Sequence, residues 1–139
     1  MKYKNNPLNI RAGQPWHGLS REVDGFCEFD NLSYCIRSAL IILWHYQHRR
    51  KVKSLKDVIY TWAPPSENNS FGYLRFVSNE TLFPFDWKLD VLHPVSCFRL
   101  LKAMCQFESN FTLVYGVFDD AYRLFITYLF VNSGDMFSV

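Results

Sequence analysis

The chain lacks the long apolar runs and the charge excess that mark several common classes of protein. Of its 139 residues, 15 are Lys or Arg and 13 are Asp or Glu, which gives a formal net charge of +2. So small an excess argues against nucleic acid as a partner, because phosphate binding needs a basic face. The longest apolar stretches, residues 39–44 and 124–131, are much shorter than the roughly 20 residues of a membrane-spanning helix. We therefore expect no membrane span.

Targeting and metal-binding patterns are also missing. The charged residues at the start of the chain are followed by no apolar segment, so no signal peptide is recognisable. The four cysteines have no C-x-x-C spacing and the four histidines form no H-E-x-x-H pattern. We expect no metal and no cofactor, and we interpret the cysteines as free, buried thiols.

Aromatic residues are abundant by contrast. They make up 18% of the chain, as 13 Phe, 8 Tyr and 4 Trp, within an apolar content of 49%. A composition this apolar excludes a disordered tail, and the length suits one domain with a sizeable core. The aromatic rings predict a rigid core and surfaces on which ring-shaped ligands could stack.

Patterning predicts one mainly α (α+β) domain over residues 1–139. Residues 1–30 are expected to form a small β-lobe of loops and short strands, with a strand over 26–29 and a hairpin tip near 22–25. Residues 31–110 are expected to form a helical core, with helices starting near residues 31, 54, 71 and 94. A last helix within 118–129 belongs to a C-terminal segment, 111–139, to which we assign no role.

A glutamate near the end of the fourth predicted helix is the first candidate for chemistry. Glu108 follows an apolar helical face and lies beside Phe107. Partial burial would raise the pKa of its carboxyl group and let it donate a proton to a glycosidic oxygen. The alternative is a solvated glutamate, which the helix dipole opposes only weakly. The spacing alone does not decide between the two.

Two further segments combine aromatic rings with polar side chains. Trp62 precedes a rigid Pro-Pro bend, and Glu67 and Asn68 follow that bend; the alternative is a simple helix stop with a solvated Glu67. Near the N-terminus, Asn6, Asn9 and Arg11 lie shortly before Trp16, an arrangement that suits a polar ligand. Ordinary turn chemistry explains those asparagines equally well.

These segments resemble a family of small phage and prophage proteins that are often labelled virion structural or lytic proteins. The resemblance covers residues 4–110 and depends on NNPLNIR at 5–11, GFCEF at 25–29, WAPPSENN at 62–69, and Tyr73.

More distantly, the order of these segments along the chain is similar to that of the lysozyme-like glucosaminidases and lytic transglycosylases. In those enzymes the glutamate-bearing helix precedes the Asn-Asn strand. Here Glu108-Ser109 follows it, which implies a circularly permuted lysozyme-like domain.

The resemblance implies a glycoside hydrolase or lytic transglycosylase that cleaves the glycan strands of peptidoglycan. Glu108 would be the general acid and Glu67 the second catalytic group, with Glu22, Asp24 and Glu28 as alternatives to Glu67. The substrate-binding residues would be Asn6, Asn9, Arg11, Trp16, Trp62, Asn68 and Tyr73.

Such a protein would act in the periplasm or cell wall, delivered by a phage particle, a holin or a secretion system. An immunity protein would be a further partner if the protein were an antibacterial toxin. The alternative from a different class is a non-catalytic virion or wall-binding module of the same fold. A peptidase acting on the peptide stems is disfavoured, because no zinc pattern or Cys/His pair is apparent.

Overall fold

A computed structural model describes residues 1–132 as five helices and one two-stranded antiparallel hairpin. The elements are β1 (Leu19–Val23), β2 (Phe26–Phe29), α1 (Leu32–His48), α2 (Leu55–Trp62), α3 (Ser70–Thr81), α4 (Pro94–Ser109) and α5 (Tyr115–Val131). The mainly α prediction with a small N-terminal β-lobe is confirmed. Residues 133–139 of the predicted C-terminal segment lie outside the described residues.

The hairpin turns at Asp24 and Gly25. Both residues have positive φ, 54° and 83°, as the tight turn that matches the twist of two antiparallel strands requires. The register places Val23 opposite Phe26 and Leu19 opposite Phe29, with an irregularity between Leu19 and Arg21. The predicted strand and hairpin tip are both confirmed.

The segment before the hairpin lies against β2. The amide of Phe29 donates to the carbonyl of Lys4, and that of Cys27 donates to the carbonyl of Ile10. Asn5 and Asn9 adopt left-handed φ of 55° and 51°, a conformation that asparagine tolerates better than most residues. Asn5 and Asn9 therefore have a structural role, because they allow the backbone turns of this segment.

The starts of α1 to α4 follow the capping signals of the sequence. Asn31, Ser54 and Asn69 each accept a hydrogen bond from a first-turn amide of the helix that follows, and Pro94 occupies the first turn of α4. Asn110 ends α4 in a left-handed conformation, with φ 50° and ψ 38°. The four predicted helices are confirmed.

Helix α5 is longer than the sequence predicts. We expected a helix within 118–129, whereas α5 spans Tyr115–Val131. Val114, the residue before it, makes no side-chain capping bond, so the sequence carries no start signal there. The helix packs along α1 and buries Phe118 and Phe125 completely. Each such ring contributes about 1.5–3 kcal/mol by burial.

One buried apolar cluster extends from Leu8 in the N-terminal loop to Leu129 in α5 and joins the β-lobe to the helices. The four cysteines are buried and unpaired, as expected. Among residues 1–132, no helix is long and apolar enough to cross a membrane.

Candidate functional site

Glu108 is the meeting point of four segments of the fold. It lies one residue before the end of α4, and its carboxylate accepts three hydrogen bonds. The donors are Asn9 Nδ2 at 3.0 Å to Oε1, and Trp62 Nε1 at 2.9 Å and the Tyr73 hydroxyl at 3.1 Å to Oε2. All three were selected from the sequence as candidate binding residues, and the fold brings them to one carboxyl group.

The N-terminal loop is fastened to the end of α4 at two points. Ser109 Oγ donates a 2.8 Å hydrogen bond to the carbonyl of Pro7, next to the bond from Asn9 to Glu108. Asn9 has a left-handed φ of 51°, and its side-chain amide reaches the helix end at Glu108. These two bonds hold the N-terminal loop against a helix end about one hundred positions away in the sequence.

Helices α2 and α3 supply the other two donors. Trp62 is the last residue of α2, and Tyr73 lies in the first turn of α3. The Ser70 hydroxyl donates to the carbonyl of Ala63 and ties the start of α3 to the end of α2. The Tyr73 ring also stacks on Phe107, with ring centroids 4.2 Å apart. The link between α2 and α3 and the stacking on Phe107 therefore help to position both donors at Glu108.

Burial raises the pKa of Glu108 above its ordinary value. The hydrogen bonds from Asn9, Trp62 and Tyr73 favour the charged form and oppose that shift without cancelling it. No charged side chain among residues 1–132 contributes to it. The pKa of Tyr73 is also raised well above its ordinary value, first by burial and then by the charge of Glu108, so Tyr73 remains a hydrogen-bond donor.

Asn6 occupies a different environment from the one we expected. It has no exposed surface, and its side chain donates to the carbonyls of Ile10 and Cys27 and accepts from the amide of Ile10. A side chain so enclosed supports the loop and does not face a ligand, which corrects our assignment of Asn6 to sugar binding. Tyr73, only 2% exposed, likewise contacts Glu108 from within the core.

Glu67 and its neighbour Asn68 lie on the exposed link between α2 and α3. Glu67 accepts a 2.9 Å hydrogen bond from Arg11, and both side chains are more than half exposed, at 55% and 66%. An ion pair this exposed contributes little to stability. Asn68 donates to the carbonyl of Pro64 and closes the Pro-Pro bend.

The other acidic candidates in the hairpin have structural partners. Glu28 is buried and accepts from the amide of Lys4 and from Arg21 Nε, which hold its pKa below the ordinary value. Glu22 accepts from the amide of Gly13, while Asp24 forms the hairpin turn. None of these contacts links the hairpin carboxylates to Glu108.

Two adjoining cavities open beside the partners of Glu108. The smaller, of about 130 Å³, is lined by Asn9, Ile10, Arg11, Ile42, Tyr46 and Trp62. It shares Ile42 and Tyr46 with a cavity of about 800 Å³ that contains Trp16. Trp16 therefore lines the second cavity, and it is not among the hydrogen-bond partners of Glu108. Tyr46 lines both cavities and was missed, because in the sequence it is one more apolar residue on the inner face of α1.

The fold and site define a small, mainly α domain built around a half-buried, hydrogen-bonded carboxyl group. Over 114 residues the chain is 34% identical to Protein P5 of Pseudoalteromonas phage PM2, covering 76% of this chain and 68% of that protein. The chain belongs to the family of this phage protein. The expected relationship to phage proteins is confirmed. No family model matches the chain.

Proposed function

We propose that this protein cleaves the glycan strands of peptidoglycan, with Glu108 as the general acid. The observation that carries the proposal is the environment of Glu108: a carboxyl group with a raised pKa, held by three neutral donors. Asn9 and Trp62, two of those donors, also line the smaller cavity. A carboxyl group whose pKa is raised by burial, and two of whose hydrogen-bond partners line a cavity, is suited to protonating a leaving oxygen.

The hydrogen bonds distinguish the two oxygens of Glu108. Oε2 accepts from both Trp62 and Tyr73, whereas Oε1 has a single partner, the amide of Asn9. The proton is therefore best accommodated on Oε1. In the free protein, a rotated Asn9 amide accepts a hydrogen bond from the protonated Oε1 through its side-chain oxygen. When substrate binds, the glycosidic oxygen replaces Asn9 and accepts the proton of Glu108.

The surroundings of Glu108 favour a route with one catalytic carboxyl group. No charged side chain among the described residues affects its pKa, and Glu67 is paired with Arg11. In such a route Glu108 protonates the glycosidic oxygen as the C1–O bond breaks. A hydroxyl of the same sugar then attacks C1 and returns its proton to the Glu108 carboxylate, as in a lytic transglycosylase. A hydrolase with Glu67 as second group is the competing chemistry.

The proposal also includes the fold family, the sugar-binding residues and the site of action. We infer a circularly permuted lysozyme-like domain, supported by the contact between the Glu108 end of α4 and the loop that carries Asn9. Asn9 and Arg11 would bind the sugar and Trp62 would stack on it, whereas Tyr73 would position Glu108. The site of action would be the periplasm or cell wall. The phage relative is consistent with delivery on a phage particle; a holin, a secretion system and an immunity protein remain part of the toxin version of this proposal.

Digestion of purified sacculi by wild type and Glu108→Gln tests the proposal. The amide keeps the shape of the carboxyl group but cannot donate a proton, so we expect a loss of at least about 100-fold in cleavage. The exposed Glu80→Gln is the matched control and should retain activity. If wild type and Glu108→Gln cleave equally, or neither cleaves, the enzymatic proposal is wrong.

Mass spectrometry of the products separates the two routes. An anhydro end on muramic acid supports the single-carboxyl route, and Glu67→Gln should then retain most activity. A reducing muramic acid or glucosamine end, together with loss of activity in Glu67→Gln, supports a hydrolase with two carboxyl groups.

A non-catalytic wall-binding or virion module is the second candidate. It is favoured by the same three hydrogen bonds, because a carboxylate with every oxygen partnered also serves as a structural junction between α2, α3, α4 and the N-terminal loop. Co-sedimentation with sacculi by a protein that releases no fragments would support this alternative.

A further inference from the structure

The larger cavity next to the Glu108 site is strongly cationic. Its walls are the loop around Trp16, one face of α1, and Tyr128 of α5. The basic lining residues are Arg37, Arg49, Arg50, His17 and His45, and no Asp or Glu of residues 1–132 lines it. The whole chain carries an excess of only two basic residues. The cavity therefore concentrates positive charge that the remaining surface lacks.

The arginines of this cavity differ from three of the five other arginines of residues 1–132, since Arg75 and Arg99 also form no ion pair. Arg11, Arg21 and Arg123 each pair with a carboxylate, at 2.9, 2.8 and 3.1 Å. Within residues 1–132, Arg37, Arg49 and Arg50 form no ion pair. Their charge is not neutralised by the part of the chain that the structure describes.

Aromatic rings hold two of these guanidinium groups in place. Arg37 lies over the Tyr128 ring at 5.4 Å, and Arg50 lies over the Tyr46 ring at 5.6 Å. Contact with a ring uses the face of a guanidinium and leaves its N–H edge free. A positioned guanidinium with a free edge binds carboxylates with two parallel hydrogen bonds.

The cationic cavity adjoins the smaller cavity beside the partners of Glu108. Ile42 and Tyr46 of α1 line both, so a ligand seated between Asn9 and Trp62 would approach Arg50 and Arg37 if it extended along α1. The large cavity, about 800 Å³, has room for a short peptide.

We propose that this cationic cavity binds the acidic peptide stem attached to the glycan strand, with Arg37, Arg49 and Arg50 contacting its carboxylates. This inference rests on the proposed function and deepens it, because it assigns the neighbouring cavity to a second part of the same substrate. Neutral sugar rings offer these arginines no charge to pair with. The stem peptides of peptidoglycan carry free carboxylates close to the bond that Glu108 would cleave.

Binding to two matched ligands tests the inference without turnover. Two ligands are titrated calorimetrically into Glu108→Gln: tetrasaccharides with intact tetrapeptide stems, and the same tetrasaccharides after amidase removal of the stems and amidation of the lactyl carboxylates that this exposes. We expect the stems to tighten binding about tenfold, as one or two charged hydrogen bonds would. The same measurements are made on Arg37→Gln/Arg50→Gln and on Arg49→Gln alone, each in the Glu108→Gln background.

We expect the double arginine variant to lose the preference for stems while binding the stem-free tetrasaccharide unchanged, which also shows that it is folded. Arg49→Gln should lose part of the preference. Arg75→Gln is the matched control, since Arg75 is exposed over the ring of Phe71 and does not line the cavity; it should keep the full preference.

Each failure has a separate meaning. Equal affinity for both ligands overturns the stem site and leaves the proposed function standing. A stem preference in a protein whose wild type does not cleave sacculi supports the stem site and overturns the enzyme. Arginine-dependent binding to phosphatidylglycerol vesicles, without any stem preference, assigns the cavity to a membrane and overturns the inference. Binding of neither tetrasaccharide overturns the stem site, and digestion of sacculi by wild type then decides the proposed function.

Discussion

The indole Nε1 of Trp62 donates a 2.9 Å hydrogen bond to Oε2 of Glu108, which places the end of α2 against the end of α4. The Tyr73 hydroxyl donates to the same oxygen at 3.1 Å. Both bonds favour the charged carboxylate, while burial favours the protonated form and prevails. The protonation state of Glu108 is therefore set by a balance that single substitutions can shift in a known direction.

Trp62→Phe should raise the pKa of Glu108 further. The phenyl ring keeps most of the packing but cannot donate, so one bond that stabilises the anion is lost. A general acid works in its protonated form, so the decline of kcat/KM on the alkaline side should move to higher pH. The measurement is the pH profile of glycan cleavage.

Tyr73→Phe removes the other donor to Oε2 and should shift the profile in the same direction. Trp87→Phe is the control, because Trp87 stacks on Phe83 and has no bond to Glu108. An unchanged profile in both Trp62→Phe and Tyr73→Phe would contradict the role of these donors.

Stability should respond to pH through Glu108 as well. Its pKa in the folded protein lies above the ordinary value of 4.5, so its stabilising contribution is complete below that value and is lost as pH rises through the folded pKa. The Glu108→Gln variant carries an amide at this position, and an amide does not ionise in this range. The melting temperature of Glu108→Gln minus that of wild type should therefore increase as pH rises.

Differential scanning calorimetry across the acidic to neutral range measures that difference. Glu28, whose pKa is lowered by the Lys4 amide and Arg21, gives stability that is lost as pH falls. It is present in both proteins and cancels in the comparison. A difference that stays constant with pH would show that the pKa of Glu108 is not raised by folding.

Most of the helices were predictable because particular residue types mark where they begin. Asn31, Ser54, Asn69 and Pro94 are residue types that begin helices, and each does so here. The start of α5 was missed because Val114 offers no cap, so its first turn depends on packing against the rest of the fold.

The candidate site was only partly predictable, because its contacts span the chain. Asn9 and Glu108 are 99 positions apart, and no helical or strand period relates them. Their association followed from the family resemblance and not from spacing. The inward position of Asn6 and the cavity-lining position of Tyr46 depend on how the loop and α1 pack, which local patterns do not encode.

Asn6→Ala should destabilise the protein by about 3 kcal/mol. The substitution removes three hydrogen bonds of 2.8–3.0 Å in the core and leaves the amide of Ile10 and the carbonyls of Ile10 and Cys27 without their side-chain partner. Urea denaturation measures the loss. Asn79→Ala, at an exposed position of α3, is the control and should change stability by less than about 0.5 kcal/mol. Similar losses in the two variants would contradict the buried role of Asn6.

The four thiols should be unreactive in the folded protein. Burial raises the pKa of Cys97 to about 12 and also raises the pKa values of Cys27, Cys35 and Cys105, so little thiolate exists near neutral pH. Ellman's reagent should label the native protein only at the rate of unfolding and should label four thiols in denaturant. Rapid labelling of any thiol in the native state would contradict their enclosure.

Ser54→Ala tests how the start of α2 supports Trp62 at its end. The first four amides of this eight-residue helix all have partners: Leu55 and Lys56 donate to the carbonyls of Trp87 and Phe85, Asp57 donates to Ser54 Oγ, and Val58 donates to the carbonyl of Ser54. The substitution removes the bond from the Asp57 amide to Ser54 Oγ, keeps the bond from the Ser54 amide to the Asp57 carboxylate, and should cost about 1 kcal/mol in urea denaturation. The backbone bonds to Trp87 and Phe85 persist, so α2 should stay folded and the pH profile of glycan cleavage should shift less than in Trp62→Phe. The exposed Ser66→Ala, in the link after α2, should leave stability and cleavage unchanged. Full loss of cleavage in Ser54→Ala would mean that Trp62 is positioned by the cap rather than by its bond to Glu108.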